Sequence, residues 1–152
     1  MADIVRRAER PSLNPVSIHF DPADPGAALV QFLTERHLAT LTTLSDDGVL
    51  HVVPVGFTYQ PGLTLARIIT FASSRKARNV AQRPGGPAAL CQLDGRRWVS
   101  LHGQAFLRDD EAANAEAVVR YAARYRPTRS RPDRVTIEVM VTKIIGNLGP
   151  VS

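Results

Sequence analysis

Cysteine is nearly absent from this 152-residue sequence, because Cys91 is the only one. A disulfide framework or a cysteine-based zinc or iron–sulfur site within one chain is therefore excluded. No run approaches the roughly 18 consecutive apolar residues of a membrane helix, and the first residues lack the apolar segment of a signal peptide. We therefore expect a cytoplasmic protein without a membrane segment, and its 44% hydrophobic content suits a single packed domain.

Motifs of the common self-sufficient enzymes are missing too. The sequence has no Walker loop, no GxGxxG after a strand, no GxSxG elbow and no HExxH pair. Its four histidines are far apart, and none forms the short-spacing pair of a metal site: His19, His37, His51 and His102. We therefore predict no metal and no catalytic side chain, so that any redox chemistry comes from a bound cofactor.

Lysine is scarce, yet the chain is basic. Of its 19 Lys and Arg residues, only Lys76 and Lys143 are lysines, and the formal net charge is +5. Such arginine-rich usage favours a phosphate-bearing or polyanionic partner, although an ordinary solvated basic surface gives the same count. The basic residues are dispersed and aromatic residues make up only 6% of the chain, so we do not expect nucleic-acid binding.

The order of apolar runs predicts a mainly β protein. Residues 1–24 contain three prolines and no apolar periodicity, which predicts an extended or disordered N-terminal arm before a domain of residues 25–152. Asp24 and Pro25 predict the start of a short helix that ends near Arg36. Short β-branched runs between turn signals then predict six strands, at 38–44, 49–59, 63–71, 88–94, 96–107 and 134–145.

The connections between these strands are mostly too short for parallel crossovers. We therefore expect an antiparallel sheet that closes into a barrel. Two helices interrupt it: residues 74–82 begin at a Ser74 cap, and residues 109–125 have acidic residues first and basic residues last, as the helix dipole favours. The second helix is expected to turn four residues inward: Ala115, Val118, Ala122 and Tyr125.

Residues 69–79 run from a strand through a hydroxyl-rich corner into a helix. Arg75 and Lys76 lie in the first helical turn, where the positive end of the dipole makes cations mildly destabilising. A bound anion at the start of this helix would explain the two cations. Free backbone N–H groups and the Ser73 and Ser74 hydroxyls converge on the same point and could bind that anion as well. The pattern predicts a phosphate site, and an ordinary Ser-capped basic helix is the alternative.

Two strands and one loop carry further candidates. Pro54 and Gly56 remove a ladder donor and a side chain from the strand at 51–58, which predicts either an edge that receives a planar heterocycle or a bulge at a barrel corner. The basic loop at 126–134 touches an anion or is simply solvated. A polar and aromatic row on the strand at 96–107 suggests an interface or a ligand wall: Trp98, Ser100, His102 and Gln104.

The order of elements, with SRKARN after the third predicted strand, resembles the split β-barrel flavin and deazaflavin oxidoreductases. This superfamily includes the pyridoxamine 5′-phosphate oxidases. The resemblance spans about residues 28–149 and, within the superfamily, points to the actinobacterial biliverdin reductases that use the deazaflavin coenzyme F-420. Three separated segments carry it: FLTERHLA at 32–39, HVVPVGFT at 51–58 and DGRRWVSL at 94–101.

The resemblance implies a cofactor site on named residues. The phosphate anchor falls on Ser74, Arg75 and Lys76, and the FMN-using branch has a lysine where this chain has Gly56, which favours F-420 over FMN. Arg129 and Arg131 would pair with the carboxylates of an acidic substrate. The full set of implied cofactor contacts is His51, Val52, Val53, Pro54, Val55, Thr70, Ser73, Ser74, Arg75, Lys76 and Trp98.

The resemblance also implies a homodimer with each cofactor held between subunits, so that Trp98, His102 and the loop around Arg129 and Arg131 could come from the partner. The implied reaction is hydride transfer from reduced F-420 to a conjugated acceptor, with biliverdin converted to bilirubin as the first candidate. Two alternatives stay open. One is an FMN-dependent enzyme of the pyridoxamine phosphate oxidase type, and the other is a non-catalytic protein that binds F-420, haem or another tetrapyrrole.

Overall fold

Every strand pairing in the described residues, 17–150, is antiparallel in this computed structural model. The strands are β1 Ile18–Phe20, β2 Ala39–Leu44, β3 Leu50–Val55, β4 Thr58–Gln60, β5 Leu65–Phe71, β6 Gly86–Asp94, β7 Arg97–Arg108 and β8 Arg134–Asn147. The helices are α1 Ala27–Thr34, α2 Arg75–Gln82 and α3 Glu111–Arg124, and a short 3-10 turn covers Pro61–Leu63.

The predicted antiparallel, mainly β fold is confirmed, but the count of six strands is corrected to eight. The predicted strand at 49–59 is two strands, because the chain leaves the sheet at Gly56 and Phe57. Ile18–Phe20, inside the predicted arm, adds β1, which pairs with residues 144–146 of β8. A three-residue strand is too short to show the alternation of apolar and polar residues that predicts a strand. Its extended conformation therefore depends on pairing with β8. Residues 1–16 of the predicted arm lie outside the described residues.

The sheet is an open path whose two ends meet through the chain. The strand order is β3-β2-β6-β7-β8-β5-β4, with β1 beside β8. β3 and β4 are at opposite ends of this order, yet only Gly56 and Phe57 separate them in sequence. The sheet must therefore curl until its ends come together, and within the described residues this seam is bridged by backbone rather than by a ladder of hydrogen bonds.

The core fills the inside of the curled sheet. Alternate residues of β2 are buried, as the period of a half-buried strand requires. They meet fully buried residues from the other strands and from α1, which covers one end: Leu29, Phe32, Leu41, Leu90, Leu101, Ile137 and Ile144. Where β7 and β8 change register, Gly103 is required, because a Cβ atom there would lie 1.9 Å from the Met140 carbonyl oxygen.

The helices follow the sequence prediction with shifted starts. α1 begins at Ala27 rather than at Pro25, because Gly26 has a φ of 87° that is not helical, and Asp24 is not its cap. Ser74 does cap α2, since its hydroxyl accepts from the Ala77 N–H at 3.2 Å. Asp110 caps α3 in the same way at 3.1 Å. No helix in residues 17–150 is both long and apolar enough to cross a bilayer.

The inward face of α3 differs from the predicted one. Ala115 is exposed, whereas Ala117 and Arg124 are buried, and Tyr125 is buried just beyond the helix. Because the helix buries so few apolar side chains, hydrogen bonds take a large part in holding it on the sheet.

Candidate functional site

A cavity of about 300 Å³ opens where the end of β3, the end of β5, the start of α2 and the end of α3 meet. Its walls also include the loop before β8. The cavity brings together residues that are far apart in sequence: Pro54, Val55, Gly56, Thr70, Lys76, Tyr121, Thr128, Arg131 and Arg134. We call it the Lys76 cavity. Five of the residues singled out from sequence line it: Pro54, Val55, Thr70, Lys76 and Arg131.

The Lys76 cavity is positively charged. Lys76, Arg131 and Arg134 line it, and no carboxylate of the described residues does. Lys76 is half-buried and has no hydrogen bond or ion pair to any other residue in the described part of the chain, and this burial lowers the pKa of its ammonium group. Arg131 bonds Asp133 at 2.9 Å and lies over the Phe71 ring at 4.4 Å. The cavity thus offers an unpaired cation to an anion.

The hydroxyls of the predicted phosphate anchor are engaged within the protein. Thr70 Oγ1 donates to Ser74 Oγ at 3.1 Å, and both side chains are buried. Ser74 Oγ also accepts from Ala77, so this pair fixes the start of α2. Ser73 and Arg75 are exposed and do not line the cavity. Lys76 is therefore the member of the predicted anchor whose charge faces the cavity.

Thr128 carries an unused hydroxyl in the wall of the Lys76 cavity. Its Oγ1 is buried and has no hydrogen-bond partner among residues 17–150. A buried polar atom left without a partner costs about 1–3 kcal/mol, so native proteins seldom tolerate one without a reason. A ligand oxygen or nitrogen in the cavity would satisfy it.

Only part of the β3 segment predicted to contact the cofactor lines the Lys76 cavity. Pro54 and Val55 line the Lys76 cavity, but His51, Val52 and Val53 do not. Val52 is 55% exposed on the outer face, while His51 and Val53 are half-buried on the inner face. His51 Nδ1 is buried without a partner.

Trp98 lies far from the Lys76 cavity of its own chain. It pairs with Asn147 at the last residue of β8, whereas the cavity residue Arg134 is the first. These two positions are about 40 Å apart along the strand. The row that includes Trp98 and His102 lies on the half-exposed outer face of β7. A single chain therefore does not bring Trp98 to the cavity.

Tyr121 and Gly56 form a contact that sequence reasoning missed. A Cβ atom at Gly56 would lie 2.9 Å from Tyr121 Cε2 and 3.1 Å from Tyr125 Cε2. The rings of the two tyrosines are 4.9 Å apart between centroids. Only glycine allows α3 to pack directly on the backbone at the end of β3. Tyr121 and Tyr125 are four residues apart, a spacing that places both on one face of a helix. The sequence prediction nevertheless turned only Tyr125 inward.

A buried arginine holds this wall in place. Arg124 is 8% exposed and donates to the carbonyl oxygens of Glu35 at 3.0 Å and Phe57 at 2.6 Å, and to Gln92 Oε1 at 2.6 Å. The Tyr125 hydroxyl accepts from the Phe57 N–H at 3.2 Å and donates to the His37 carbonyl at 2.7 Å. These bonds join α1, β6 and α3 to the turn between β3 and β4, so they position the Gly56 side of the cavity.

Two further cavities adjoin the Lys76 cavity, one at each end. The first, of about 490 Å³, shares Thr128, Arg131 and Arg134 with it and adds Arg129. The second, of about 310 Å³, shares Tyr121 with it. The other residues of this second cavity are Arg36, His37, Leu38, Tyr125 and Arg126.

A larger cavity, about 550 Å³, lies elsewhere, on the outer face of β2, β6 and β7. His102 and Gln104 line it, and neither a carboxylate nor an Arg or Lys side chain does. It lacks the charge expected of an anion site, so its size alone does not make it the cofactor cleft.

The sequence matches the pyridoxamine 5′-phosphate oxidase family over residues 26–147. It is also similar to an F-420(H2)-dependent biliverdin reductase of Mycobacterium tuberculosis. The two are 49% identical over 116 residues, which cover 76% of this chain and 83% of that protein.

Solved structures with the same fold are more distant in sequence. A conserved hypothetical protein of Mycobacterium tuberculosis, Rv2991, has a TM-score of 0.65 at 22% identity, over 76% of this chain and 79% of that one. An F-420 reductase has a TM-score of 0.60 at 23% identity, over 75% and 93%. The haem storage protein HutZ of Vibrio cholerae has a TM-score of 0.62 at 14% identity, over 80% and 94%. At these identities the likeness shows the fold alone.

Proposed function

This chain belongs to the pyridoxamine 5′-phosphate oxidase family, and from that membership we propose that it is an oxidoreductase that uses reduced F-420 to convert biliverdin to bilirubin. The observation that carries the proposal is the 49% identity, over most of both chains, to a protein named for this activity. The Lys76 cavity supports it by its charge and by its position. FMN remains the alternative cofactor, and the presence of Gly56 argues against it.

The residues of the Lys76 cavity fit a phosphate-bearing cofactor at one end. Lys76 and Arg134 supply two cations that bond no carboxylate among the described residues, and Arg131 supplies a third that also bonds Asp133. Thr128 Oγ1 supplies a hydrogen-bonding group that has no partner in residues 17–150. Charge-assisted hydrogen bonds to an anion are roughly twice as strong as neutral ones, so this end is the stronger anchor.

The other end of the cavity fits a flat ring. Pro54, Val55 and Gly56 form a wall that lacks long or charged side chains, and the Tyr121 ring lies beside it. A planar heterocycle could lie against this wall with its polar rim near the backbone. Among the sequence-based contacts, we propose that Ser74 and Thr70 act through the start of α2 rather than by touching the ligand.

When bound against Pro54, Val55 and Gly56, reduced F-420 would supply a hydride to the central bridge carbon of biliverdin, and a ring nitrogen of the substrate would gain a proton. The protein's part is to bind donor and acceptor in register and to keep water away from them. No carboxylate or histidine lines the Lys76 cavity among the described residues. We therefore assign no acid–base residue within this cavity and propose that the proton comes from solvent.

We propose a homodimer in which the outer face of β3, β2, β6 and β7 is covered by a second copy. Three large apolar side chains on these strands are more than half exposed: Leu50, Val52 and Leu93. Trp98 and His102 lie on the same face. Because Trp98 cannot reach the cavity of its own chain, it would complete the cofactor wall of the other subunit. We also propose a cytoplasmic location, with which the single free cysteine is compatible.

Two measurements test the proposed function. Titration of the cofactor-free protein with F-420 and with FMN should show tighter binding of F-420. Oxidation of reduced F-420 should then depend on biliverdin concentration and saturate, with loss of the long-wavelength absorption of the bilin. Tighter binding of FMN would overturn the cofactor assignment. Binding of F-420 with no acceleration by biliverdin above the protein-free rate would overturn the reaction and favour a storage protein.

A further inference from the structure

We propose that the carboxylates of the substrate bind in the cavity lined by Arg36 and Arg126, on the far side of Tyr121 from the cofactor. This inference rests on the proposed function and names a substrate subsite for it. It differs from the expectation drawn from sequence, which placed the substrate carboxylates at Arg129 and Arg131.

The order of the cavities carries the inference. Arg129 lies in the cavity that adjoins the cationic end of the Lys76 cavity, through the shared residues Thr128, Arg131 and Arg134. Arg131 itself lines the Lys76 cavity, where its guanidinium lies over the Phe71 ring at 4.4 Å. A substrate held there would lie at the phosphate end of the cofactor. Hydride transfer requires the acceptor to lie beside the ring end instead, at a separation of about 3–3.5 Å.

The Arg36–Arg126 cavity adjoins the ring end. Tyr121 lines both cavities and lies against Gly56, which is the last residue of the flat wall. The Tyr121 ring is therefore the partition between the two. A substrate that lies across this ring would have its conjugated part near Gly56 and its charged arms near Arg36 and Arg126. The Tyr121 hydroxyl has no hydrogen-bond partner among the described residues, so it is available to such a ligand.

No acidic side chain faces the arginines of the Arg36–Arg126 cavity in the part of the chain that the structure describes. Its lining residues include no carboxylate. Arg126 is exposed and its side chain makes no hydrogen bond or ion pair within residues 17–150, and Arg36 uses one nitrogen to bond the Tyr125 carbonyl oxygen. Glu35 is the neighbouring acid in sequence, but Arg97 bonds its two carboxylate oxygens at 2.9 and 3.1 Å. Neither guanidinium group bonds a carboxylate in the described residues, and both keep N–H donors that could pair with the carboxylates of a ligand, which they match in geometry.

The cavity also has an apolar side that suits the arms of a tetrapyrrole. Leu38 is 62% exposed there, and the Tyr121 and Tyr125 rings lie side by side. Alkyl groups between a ring system and its carboxylates could rest on these surfaces. A dicarboxylate whose charges are carried on short alkyl arms is thus the ligand class that the cavity fits.

Biliverdin and its dimethyl ester test the subsite, because the ester has the same ring system without the two charges. Arg126→Met is the main variant, since Arg36 also holds the backbone of Tyr125. We expect Arg126→Met to raise the KM for biliverdin at least fivefold, with kcat and the Kd for F-420 within twofold of the wild type. The KM for the dimethyl ester should be the same in Arg126→Met as in the wild type. Arg126→Lys should recover part of the affinity.

Arg129→Met is the matched control, because it removes an arginine from the cavity at the opposite end. It should leave the KM for biliverdin within twofold. The inference falls if Arg126→Met leaves that KM unchanged, or if the variant weakens biliverdin and the ester equally. Direct absorbance titration with biliverdin separates this result from the proposed function. If the wild type binds biliverdin but does not reduce it, the function fails while the titration of Arg126→Met still decides the subsite; if the wild type does not bind it, both fail.

Discussion

The positive charge of Lys76 does not stabilise the fold of the ligand-free protein. It is the second residue of α2, near the positive end of the helix dipole, and it is half-buried without a carboxylate partner in the described structure. Burial lowers the pKa of Lys76 because the charged form loses hydration. Both effects oppose folding, so the charge is explained by a ligand rather than by stability.

Replacing Lys76 should separate binding from stability. We expect Lys76→Met to weaken F-420 binding at least tenfold, since losing a charged hydrogen-bond partner costs about 1.5–3 kcal/mol. The free energy of unfolding should stay the same or rise by about 0.3–1 kcal/mol, because a misplaced cation is gone. Fluorescence titration and urea unfolding measure the two effects. Arg78→Met, an exposed position of the same helix, should change neither, and an unaltered F-420 affinity in Lys76→Met would place the phosphate elsewhere.

Gly56 is a second residue whose type follows from its packing, because the Tyr121 and Tyr125 rings leave no room for a side chain there. We expect Gly56→Ala to lower the free energy of unfolding by about 1–3 kcal/mol, the usual cost of forcing an added methyl group into a packed site. The added Cβ would press on the Tyr121 and Tyr125 rings. Gly62→Ala is the control, because no atom lies within 4 Å of its Cβ position. Tyr121→Ala should restore part of the loss in the Gly56→Ala background. Equal stability of the two alanine variants in urea would contradict the packing argument.

At the scale of elements, an ion-pair network joins the end of α1 to the turn between β6 and β7. Arg97, the first residue of β7, bonds the Glu35 carboxylate and also Asp94, the last residue of β6. Its guanidinium lies 4.6 Å from the centroid of the Phe32 ring. Glu35, His37 and Asp94 have oxygen and nitrogen atoms within 4.8 Å of one another. Because Arg97 already bonds both carboxylates, the group is an ion-pair network that fastens α1 to the sheet.

This network predicts a pH dependence of stability. Hydrogen bonds from Arg97, and then from His37, lower the pKa of Glu35 from 4.5 to about 2. A carboxylate with a lowered pKa in the folded state stabilises the fold above its unfolded value and loses that effect as the pH falls through the folded value. We therefore expect Glu35→Gln to be less stable than the wild type near neutral pH, by about 0.5–1 kcal/mol, with the difference vanishing near pH 2.

Urea unfolding of both proteins across this pH range measures the effect. Glu116→Gln removes an exposed carboxylate that bonds Arg120 within α3, so it provides a control for loss of a surface pair. A difference between Glu35→Gln and the wild type that stayed constant down to pH 2 would show that the Glu35 charge is not responsible.

At the scale of the whole molecule, the exposed apolar face predicts its oligomeric state. Light scattering at micromolar concentration should give twice the 16.6 kDa mass of one chain. Val52→Asp should give monomers, because a buried charge in the interface would lack a partner. Val119→Asp should not, since Val119 is similarly exposed but lies on α3, away from this face. A wild-type monomer that binds F-420 would exclude a site shared between two chains.

Local patterns were enough to predict much of the fold and part of the candidate site. The turn signals and β-branched runs located the strands from Ala39 to Asn147 except that they joined β3 and β4 into one, and the Ser74 cap located α2, because these features depend on residues within one turn or one strand. The same local reasoning identified Lys76 as a cation that its helix does not explain. Arg131 was named as a substrate contact only through the family resemblance, and local patterns did not show that it shares a cavity with Lys76.

The sequence by itself determined the period of each element and the short connections between strands, and therefore the antiparallel, mainly β architecture. Only the tertiary structure decided that β1 pairs with β8, that the sheet ends meet at Gly56, and that Arg124 is buried. It also decided that Gly56 lies against Tyr121, 65 positions further on, and that Arg36 and Arg126 share a cavity. The physical reason is that backbone propensity and capping act over a few residues. Contacts between distant residues arise only when the packed sheet brings their elements together.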